Sequence, residues 1–83
     1  MFKDRTLLVT GGTGSFGQEM LKYFIHNTDI AEIRVFSRDE EKQDRMRNTF
    51  RDERIRYYIG DIRNYKSINE AMAGVDYVFH AAA

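Results

Sequence analysis

The sequence has no cysteine and no proline in its 83 residues, and its two histidines are His26 and His80. The lack of cysteine excludes a disulfide framework, a thiolate zinc site and a cysteine nucleophile. Two histidines are too few for a metal cluster. Without proline-rich or glycine-serine-rich runs the chain contains no linker, and 83 residues make at most one small domain.

An excess of charge of one sign is also missing, because thirteen basic residues balance thirteen acidic ones. A chain without net charge has no long-range field to hold nucleic acid or an anionic membrane surface. The apolar run that follows Lys3, Asp4 and Arg5 is neither a signal peptide nor a membrane span. We therefore expect a cytoplasmic protein without nucleic-acid or membrane partners.

One stretch, 6–17, organises the rest of the chain. Its apolar run, 7–9, predicts a strand, a glycine cluster follows the strand, and an amphipathic segment follows the glycines. In that context the G-x-G-x-x-G spacing is typical of a dinucleotide-binding turn. The glycines that fit this spacing or a looser variant of it are Gly11, Gly12, Gly14 and Gly17.

Such a turn lets the backbone approach a pyrophosphate, and the helix that follows offers N–H groups and a positive dipole end. We expect Ser15 to be the N-cap of that helix, with Gln18 three residues later completing a capping box. A Walker loop needs Gly-Lys-Ser/Thr, whereas Gln18 follows Gly17. Phe16 stands where a methyltransferase loop needs glycine. An ordinary glycine turn remains the structural alternative.

The rest of the chain alternates strands and helices, which predicts the order β-α-β-α-β-α-β. Short links between alternating elements indicate a parallel α/β sheet with right-handed crossovers and strand order 3-2-1-4. The third strand alternates apolar and polar residues, as an edge strand does. The first predicted helix has its apolar face at Phe16, Met20, Leu21, Phe24 and Ile25 and is followed by a strand at 32–36. A charged helix at 39–51 precedes a strand at 54–59, in which Ile55, Tyr57 and Ile59 share one face. The last predicted helix has Tyr65, Ile68, Ala71 and Met72 on one face, is capped by Asn64 and ended by Gly74, and leads to a strand at 75–79.

These elements are the first half of a Rossmann-like, doubly wound domain. The fourth strand would end the sheet as an apolar, unpaired edge, which natural proteins avoid. We therefore interpret residues 1–83 as the N-terminal part of an NAD(P)-binding Rossmann domain, with the remainder of the enzyme absent.

The end of the second strand bears on the choice between two cofactors. An NAD-binding fingerprint has an acidic residue about 20 residues after the glycines, where it bonds the ribose 2′-hydroxyl. Ser37 and Arg38 occupy that place here, and a hydroxyl beside a guanidinium suits a 2′-phosphate, to which Lys42 adds charge. This favours NADP. NAD stays possible, because Asp39 or Glu40 could bond a ribose hydroxyl and Ser37-x-x-Glu40 is also a capping box.

Polar and small residues follow the third and fourth strands. Asp61 is placed to accept the adenine amino group, with Ile62 beside the ring, and a plain turn carboxylate is the alternative. His80 closes the fourth strand, where we expect a hydrogen-bonded rather than a catalytic histidine. The small residues that would let backbone approach the cofactor are Ala81, Ala82 and Ala83.

Four stretches together resemble the extended short-chain dehydrogenases that act on UDP-sugars. The nearest match is to the inverting UDP-N-acetylglucosamine 4,6-dehydratases, which make sugars for capsule, O-antigen and flagellin glycans. The resemblance covers essentially the whole chain. The stretches are 10–17 (TGGTGSFG), 36–43 (FSRDEEKQ), 58–63 (YIGDIR) and 76–83 (DYVFHAAA).

The resemblance implies a hydride shuttle, in which NADP oxidises C4 of a UDP-sugar, water leaves across C5 and C6, and the hydride returns to C6. It implies that the catalytic tyrosine and lysine and the UDP-sugar pocket lie beyond Ala83, and that the full-length enzyme is a homo-oligomer. We expect no catalytic residue within the chain. The residue roles that it implies are Thr13, Gly14, Ser15 and Phe16 on the pyrophosphate, Ser37, Arg38 and Lys42 at the 2′-phosphate, Asp61 and Ile62 at the adenine, and Ala81 to Ala83 beside the nicotinamide ribose.

Three other hypotheses stay open. A UDP-sugar 4-epimerase of the same superfamily shares this first half and differs downstream. A non-catalytic NADP-sensing module would lack the Tyr-x-x-x-Lys motif altogether. A fragment of this size with an open sheet edge could also fail to fold or bind alone.

Overall fold

The computed structural model describes residues 1–81, which form a four-stranded parallel sheet and three helices. The strand order is β3-β2-β1-β4, so the predicted order 3-2-1-4 is confirmed. Every strand pair is parallel, which places all the carboxyl ends at one edge of the sheet. The elements are β1 (Thr6–Thr10), α1 (Ser15–Asn27), β2 (Glu32–Ser37), α2 (Glu40–Thr49), β3 (Ile55–Ile59), α3 (Tyr65–Met72) and β4 (Tyr77–His80).

The sheet is covered on both faces, and this is why β1 is an almost unbroken apolar run. Leu7 and Val9 belong to the larger core cluster, which includes Leu21 of α1 and Met46 of α2. Leu8 belongs to a smaller cluster on the opposite face, together with Phe36 of β2 and Ala71 of α3. Successive residues of β1 thus pack on opposite faces of the sheet, and packing on both faces fixes this central strand.

Several apolar residues that the pattern assigned to the core are exposed. Phe16 is 57% exposed, because α1 begins beyond the carboxyl end of β1 and its first turn extends past the sheet. Ile59 is 50% exposed at the end of β3, which is an edge strand as predicted. Tyr65 and Met72, at the two ends of α3, are also exposed. The buried part of the predicted apolar face is therefore limited to the centre of the helix.

The predicted ends of α3 are confirmed. The Asn64 side chain accepts a hydrogen bond from the Ser67 backbone N–H at 3.2 Å, which caps the first turn. Gly74 follows the helix with φ of 77°, in the left-handed region that terminates helices. Because Ser67 Oγ also donates to the carbonyl oxygen of Asp61 at 3.1 Å, the start of α3 fixes the loop after β3.

Two arginines hold the carboxyl ends of helices. Arg34 of β2 donates from Nη1 to the carbonyl oxygens of Ala71 and Ala73 at the end of α3, at 2.8 and 2.7 Å. Arg54, just before β3, donates from Nη2 to the carbonyl oxygen of Ile25 near the end of α1, at 2.8 Å. A cation at a helix carboxyl end satisfies orphan carbonyls and opposes the negative dipole end.

Replacing Arg34 with methionine should lower the free energy of unfolding by about 2 to 3 kcal/mol, because two carbonyl oxygens lose charge-assisted hydrogen bonds. The Arg34 side chain is only 14% exposed, and its Nε also bonds Glu32 at 2.6 Å. Urea denaturation measures the change. The matched control is Arg56→Met, since Arg56 is 67% exposed and its guanidinium lies 4.0 Å from the same Glu32. Equal losses of unfolding free energy in the two variants would contradict the role of Arg34 in holding the end of α3.

Candidate dinucleotide-binding site

The turn between β1 and α1 gives its glycines different structural roles. Gly11 has φ of 68°, in the left-handed region that favours glycine. A Cβ on Gly17 would lie 2.6 Å from Gly12 Cα, so α1 packs this closely only because Gly17 has no side chain. Gly14 is exposed, and a Cβ there would meet only the Gly11 carbonyl oxygen, at 3.5 Å. Gly14 is therefore where a ligand can reach the backbone.

The start of α1 lies at Gly14, which is the N-cap residue in extended backbone. Among residues 1–81 no side chain caps this end, so the predicted capping box of Ser15 and Gln18 is wrong. The helix starts one residue earlier than predicted, which puts Ser15 inside the first turn. Gln18 Nε2 instead donates to the carbonyl oxygen of Thr13 at 2.9 Å. This end of the helix keeps its positive dipole and its first N–H groups for an anion.

A first cleft, of about 410 Å³, lies beside the glycine turn where β2 and β3 end. It brings together four residues that the sequence assigned to the adenosine half of the cofactor, namely Ser37, Arg38, Asp61 and Ile62. Its volume is that of a small-ligand site. Its complete lining is Gly11, Phe36, Ser37, Arg38, Gly60, Asp61, Ile62 and Arg63.

The Asp61 carboxylate in the first cleft lies between two guanidinium groups. Its Oδ2 accepts a hydrogen bond from Arg63 Nη2 at 2.8 Å and lies 3.6 Å from Arg38 Nη1. Its Oδ1 accepts from the backbone N–H of Arg63 at 2.9 Å. The hydrogen bonds from Arg63, with a smaller contribution from Arg38, hold the pKa of Asp61 well below its usual value. Asp61 is therefore an anion and a hydrogen-bond acceptor at neutral pH.

A second cleft, of about 360 Å³, lies between the start of α1 and α2. Lys42 lines the second cleft, whereas Arg38 lines the first, so the structure separates two cations that the sequence assigned to one phosphate. Arg45, which sequence reasoning missed, joins Lys42 there. Its spacing of i, i+3 from Lys42 on a helix was the available signal. The complete lining is Thr13, Gly14, Ser15, Gln18, Lys42, Arg45, Met46 and Thr49.

Ser37, which lines the first cleft, is held by a buried hydrogen bond from Gln43. Its Oγ accepts from Gln43 Nε2 at 3.1 Å, and the same Nε2 donates to the carbonyl oxygen of Tyr58 at 3.0 Å. Gln43 is completely buried beside Met46, although its sequence neighbours are all charged. No periodicity in the sequence distinguishes Gln43 from a solvent-exposed helix residue, so its role in joining β2, α2 and β3 was not predicted.

The acidic residues after β2 lie at the start of α2. Asp39 is the N-cap of α2, and its Oδ1 accepts from the Lys42 backbone N–H at 2.9 Å. The alternative capping box of Ser37 and Glu40 is therefore wrong, since Asp39 lies closer to the first turn and Glu40 is exposed within it. If Asp39 bound a ribose hydroxyl, the same carboxylate would also have to cap α2.

The carboxyl ends of β1 and β4 lie side by side. Thr10 Oγ1 and His80 Nδ1 form a hydrogen bond, in agreement with a hydrogen-bonded histidine. The Ala81 backbone N–H donates to the carbonyl oxygen of Thr10 at 2.9 Å. The ring of Phe16 packs edge-on against Phe79, with centroids 5.4 Å apart. The other two predicted alanines, Ala82 and Ala83, lie outside the described residues.

Membrane-spanning helices and metal-ligand clusters are both missing from residues 1–81. No helix in this range is long and apolar enough to span a bilayer. No group of three or more histidine, aspartate and glutamate side chains in the same range is arranged to hold a metal ion. The features of this range that suit a dinucleotide are the two clefts and the start of α1.

Comparison with known proteins identifies the family. The family described as polysaccharide biosynthesis protein matches residues 7–83. The chain belongs to this family. It is 60% identical, over 86 aligned positions, to a Rickettsia canadensis protein named UDP-glucose 4-epimerase, and the match covers all of this chain and 25% of that protein. The chain thus spans about a quarter of the length of the curated relatives it matches.

Two solved structures show the same fold. Pen from Bacillus thuringiensis has a TM-score of 0.92 and 46% identity, covering all of this chain and 26% of that one. A short-chain dehydrogenase/reductase from Veillonella parvula in complex with NADP has a TM-score of 0.79 and 20% identity, covering 94% and 35%. These likenesses confirm the Rossmann-like fold.

Proposed function

We propose that this chain is the NADP-binding portion of an enzyme that modifies a nucleotide sugar during surface polysaccharide synthesis. The observation that carries the proposal is the first cleft, in which Ser37 and Arg38 stand where an NAD site has an acid. The family and the names of the relatives support a nucleotide-sugar substrate.

The residues present fit a dinucleotide. The start of α1 lacks a side-chain cap, and its N-cap residue, Gly14, has no side chain to separate a phosphate from the backbone. This end of the helix therefore suits the pyrophosphate. The first cleft suits the adenosine, since Asp61 offers an acceptor for the adenine amino group. The second cleft adds two cations, Lys42 and Arg45.

The chain's own contribution is to bind and orient the cofactor. When bound, the nicotinamide supplies a hydride acceptor for C4 of the sugar and later a hydride donor. Arg38 would hold the 2′-phosphate by charge-assisted hydrogen bonds, and Gly14 would let the pyrophosphate approach the helix start. Asp61 would fix the adenine end. Together these residues would hold the dinucleotide at the carboxyl edge of the sheet, where parallel α/β folds bind ligands.

For the reaction we propose 4,6-dehydration of UDP-N-acetylglucosamine, because the NADP-type end of β2 accompanies the dehydratase-like motifs. UDP-sugar 4-epimerisation is the second candidate, favoured by the name of the Rickettsia relatives. The two reactions begin with the same C4 oxidation and differ in their later steps. Incubating the protein that carries this segment with each UDP-sugar separates them by mass spectrometry and NMR. A product lighter by one water supports dehydration; inversion at C4 with unchanged mass would overturn it in favour of epimerisation.

Arg38→Ala should weaken NADP binding by about tenfold or more without weakening NAD binding, since a charge-assisted hydrogen bond to the 2′-phosphate contributes about 1.5 to 3 kcal/mol. Arg38 is 70% exposed, so the fold should survive the change. Calorimetric titration with both dinucleotides measures the two affinities. Equal losses for NADP and NAD would remove the 2′-phosphate assignment.

A further inference from the structure

Arg38 has two alternative anionic partners in the first cleft. In the structure its Nη1 lies 3.6 Å from Oδ2 of Asp61, which we call the Arg38–Asp61 pair. The 2′-phosphate of NADP is the second partner, and this inference rests on the proposed function in that respect. A phosphate monoester carries more negative charge than a carboxylate at neutral pH, so it is the stronger partner for the guanidinium.

The oxygens of Asp61 have few positions left for adenine. Arg63 donates to Oδ1 from its backbone N–H at 2.9 Å and to Oδ2 from Nη2 at 2.8 Å, and its Nε–H is shared between Oδ1 and Oδ2, at 3.1 and 3.2 Å. A carboxylate has about four lone-pair sites. Because these are three N–H donors, one of them shared between both oxygens, about one acceptor position is left, and Arg38 Nη1 lies beside it, 3.6 Å from Oδ2. An adenine amino group would have to take the same place.

We propose that the Arg38–Asp61 pair disfavours a cofactor without a 2′-phosphate. A dinucleotide with the phosphate draws Arg38 away from Asp61 and so frees Oδ2 for the adenine amino group. A dinucleotide with a 2′-hydroxyl leaves Arg38 beside Asp61, where it competes with the adenine. The preference between NADP and NAD then depends on the loss of the contact between Arg38 and Asp61 as well as on the contact between Arg38 and the 2′-phosphate.

Competition by Arg38 and simple recognition of the 2′-phosphate have different effects on NAD binding. Removing Arg38 should raise the affinity for NAD, whereas loss of a phosphate contact alone would leave NAD unchanged. The pair is exposed on the Arg38 side, and exposed ion pairs correspond to factors of about two to five in an equilibrium constant. The gain for NAD should therefore be about two- to fivefold, and it should require the Asp61 carboxylate.

The test is calorimetric titration of the protein that carries this segment with NADP and with NAD. The variants are Arg38→Met, Asp61→Asn and the double variant, with Arg38→Ala as a second truncation of the same side chain. The matched control is Arg5→Met, because Arg5 pairs with Asp76 at 3.4 Å with similar exposure and belongs to the opposite edge of the sheet. The control removes one positive charge and one comparable ion pair without touching either cleft.

The expected result is a rise in NAD affinity and a fall in NADP affinity in Arg38→Met, no rise in NAD affinity when Asp61→Asn is already present, and no change in Arg5→Met. A fall in NADP affinity without a rise for NAD would overturn the competition while leaving the NADP assignment intact. Undiminished NADP affinity in Arg38→Met, or binding of neither dinucleotide by the unmodified protein that carries this segment, would overturn the proposed cofactor and this inference with it.

Discussion

Alanine at Gly17 is expected to lower the free energy of unfolding by about 2 to 3 kcal/mol, the cost of overpacking a closed site. The added Cβ would lie 2.6 Å from Gly12 Cα and 2.8 Å from the Gly11 carbonyl oxygen. Both neighbours are backbone atoms of the turn, and neither can rotate away as a side chain would. Relief therefore requires α1 to move off the turn, which also disturbs the buried Leu21.

Chemical denaturation of Gly17→Ala beside Gly14→Ala measures this effect. The matched change at Gly14 should cost less than about 1 kcal/mol, because its Cβ meets only one atom within ordinary contact distance and its φ of −77° suits any residue. If Gly17→Ala proved as stable as Gly14→Ala, the close packing of α1 on the turn would be wrong.

Valine at Gly14 is expected to reduce dinucleotide affinity by about a hundredfold while the protein stays folded. Gly14 is exposed and lines the second cleft, so a branched side chain fits the free protein. The same side chain would stand where a pyrophosphate must approach the start of α1. Loss of charge-assisted hydrogen bonds to the phosphates, each contributing about 1.5 to 3 kcal/mol, accounts for the size of the effect.

Two measurements on Gly14→Val separate binding from folding. Circular dichroism with thermal denaturation should show a transition close to that of the unmodified protein, and titration with NADP should show the loss of affinity. A folded Gly14→Val that binds NADP normally would place the pyrophosphate somewhere other than the start of α1.

The fold followed from the sequence because it depends on local periodicity and on one chirality rule. Alternating elements with short links leave few topologies, and the order 3-2-1-4 is the doubly wound one. The edge position of β3 followed from its alternation, since a strand buried on both faces has no polar positions to spare. The ends of α3 followed from Asn64 and Gly74, whose roles are set by a few neighbouring residues.

The features that the sequence did not predict depend on contacts between distant segments. The capping box at Ser15 failed because the glycine turn starts α1 one residue earlier, at Gly14. The roles of Arg34 and Gln43 depend on which carbonyl oxygens the folded chain brings near them, and a one-dimensional pattern does not contain that information. The same holds for the separation of Arg38 from Lys42, which lie four residues apart but line different clefts.

Hydrogen–deuterium exchange of the protein that carries this segment, with and without NADP, tests whether the glycine turn and the ends of β2 and β3 form one dinucleotide site. We expect NADP to slow amide exchange in three separate stretches, 11–18, 37–42 and 60–63, which meet only in the folded site. Exchange at the opposite edge of the sheet, around Arg5 and 28–32, should stay unchanged. Protection confined to that opposite edge, or no protection in the three stretches at saturating NADP, would contradict a dinucleotide site at the carboxyl ends of the strands.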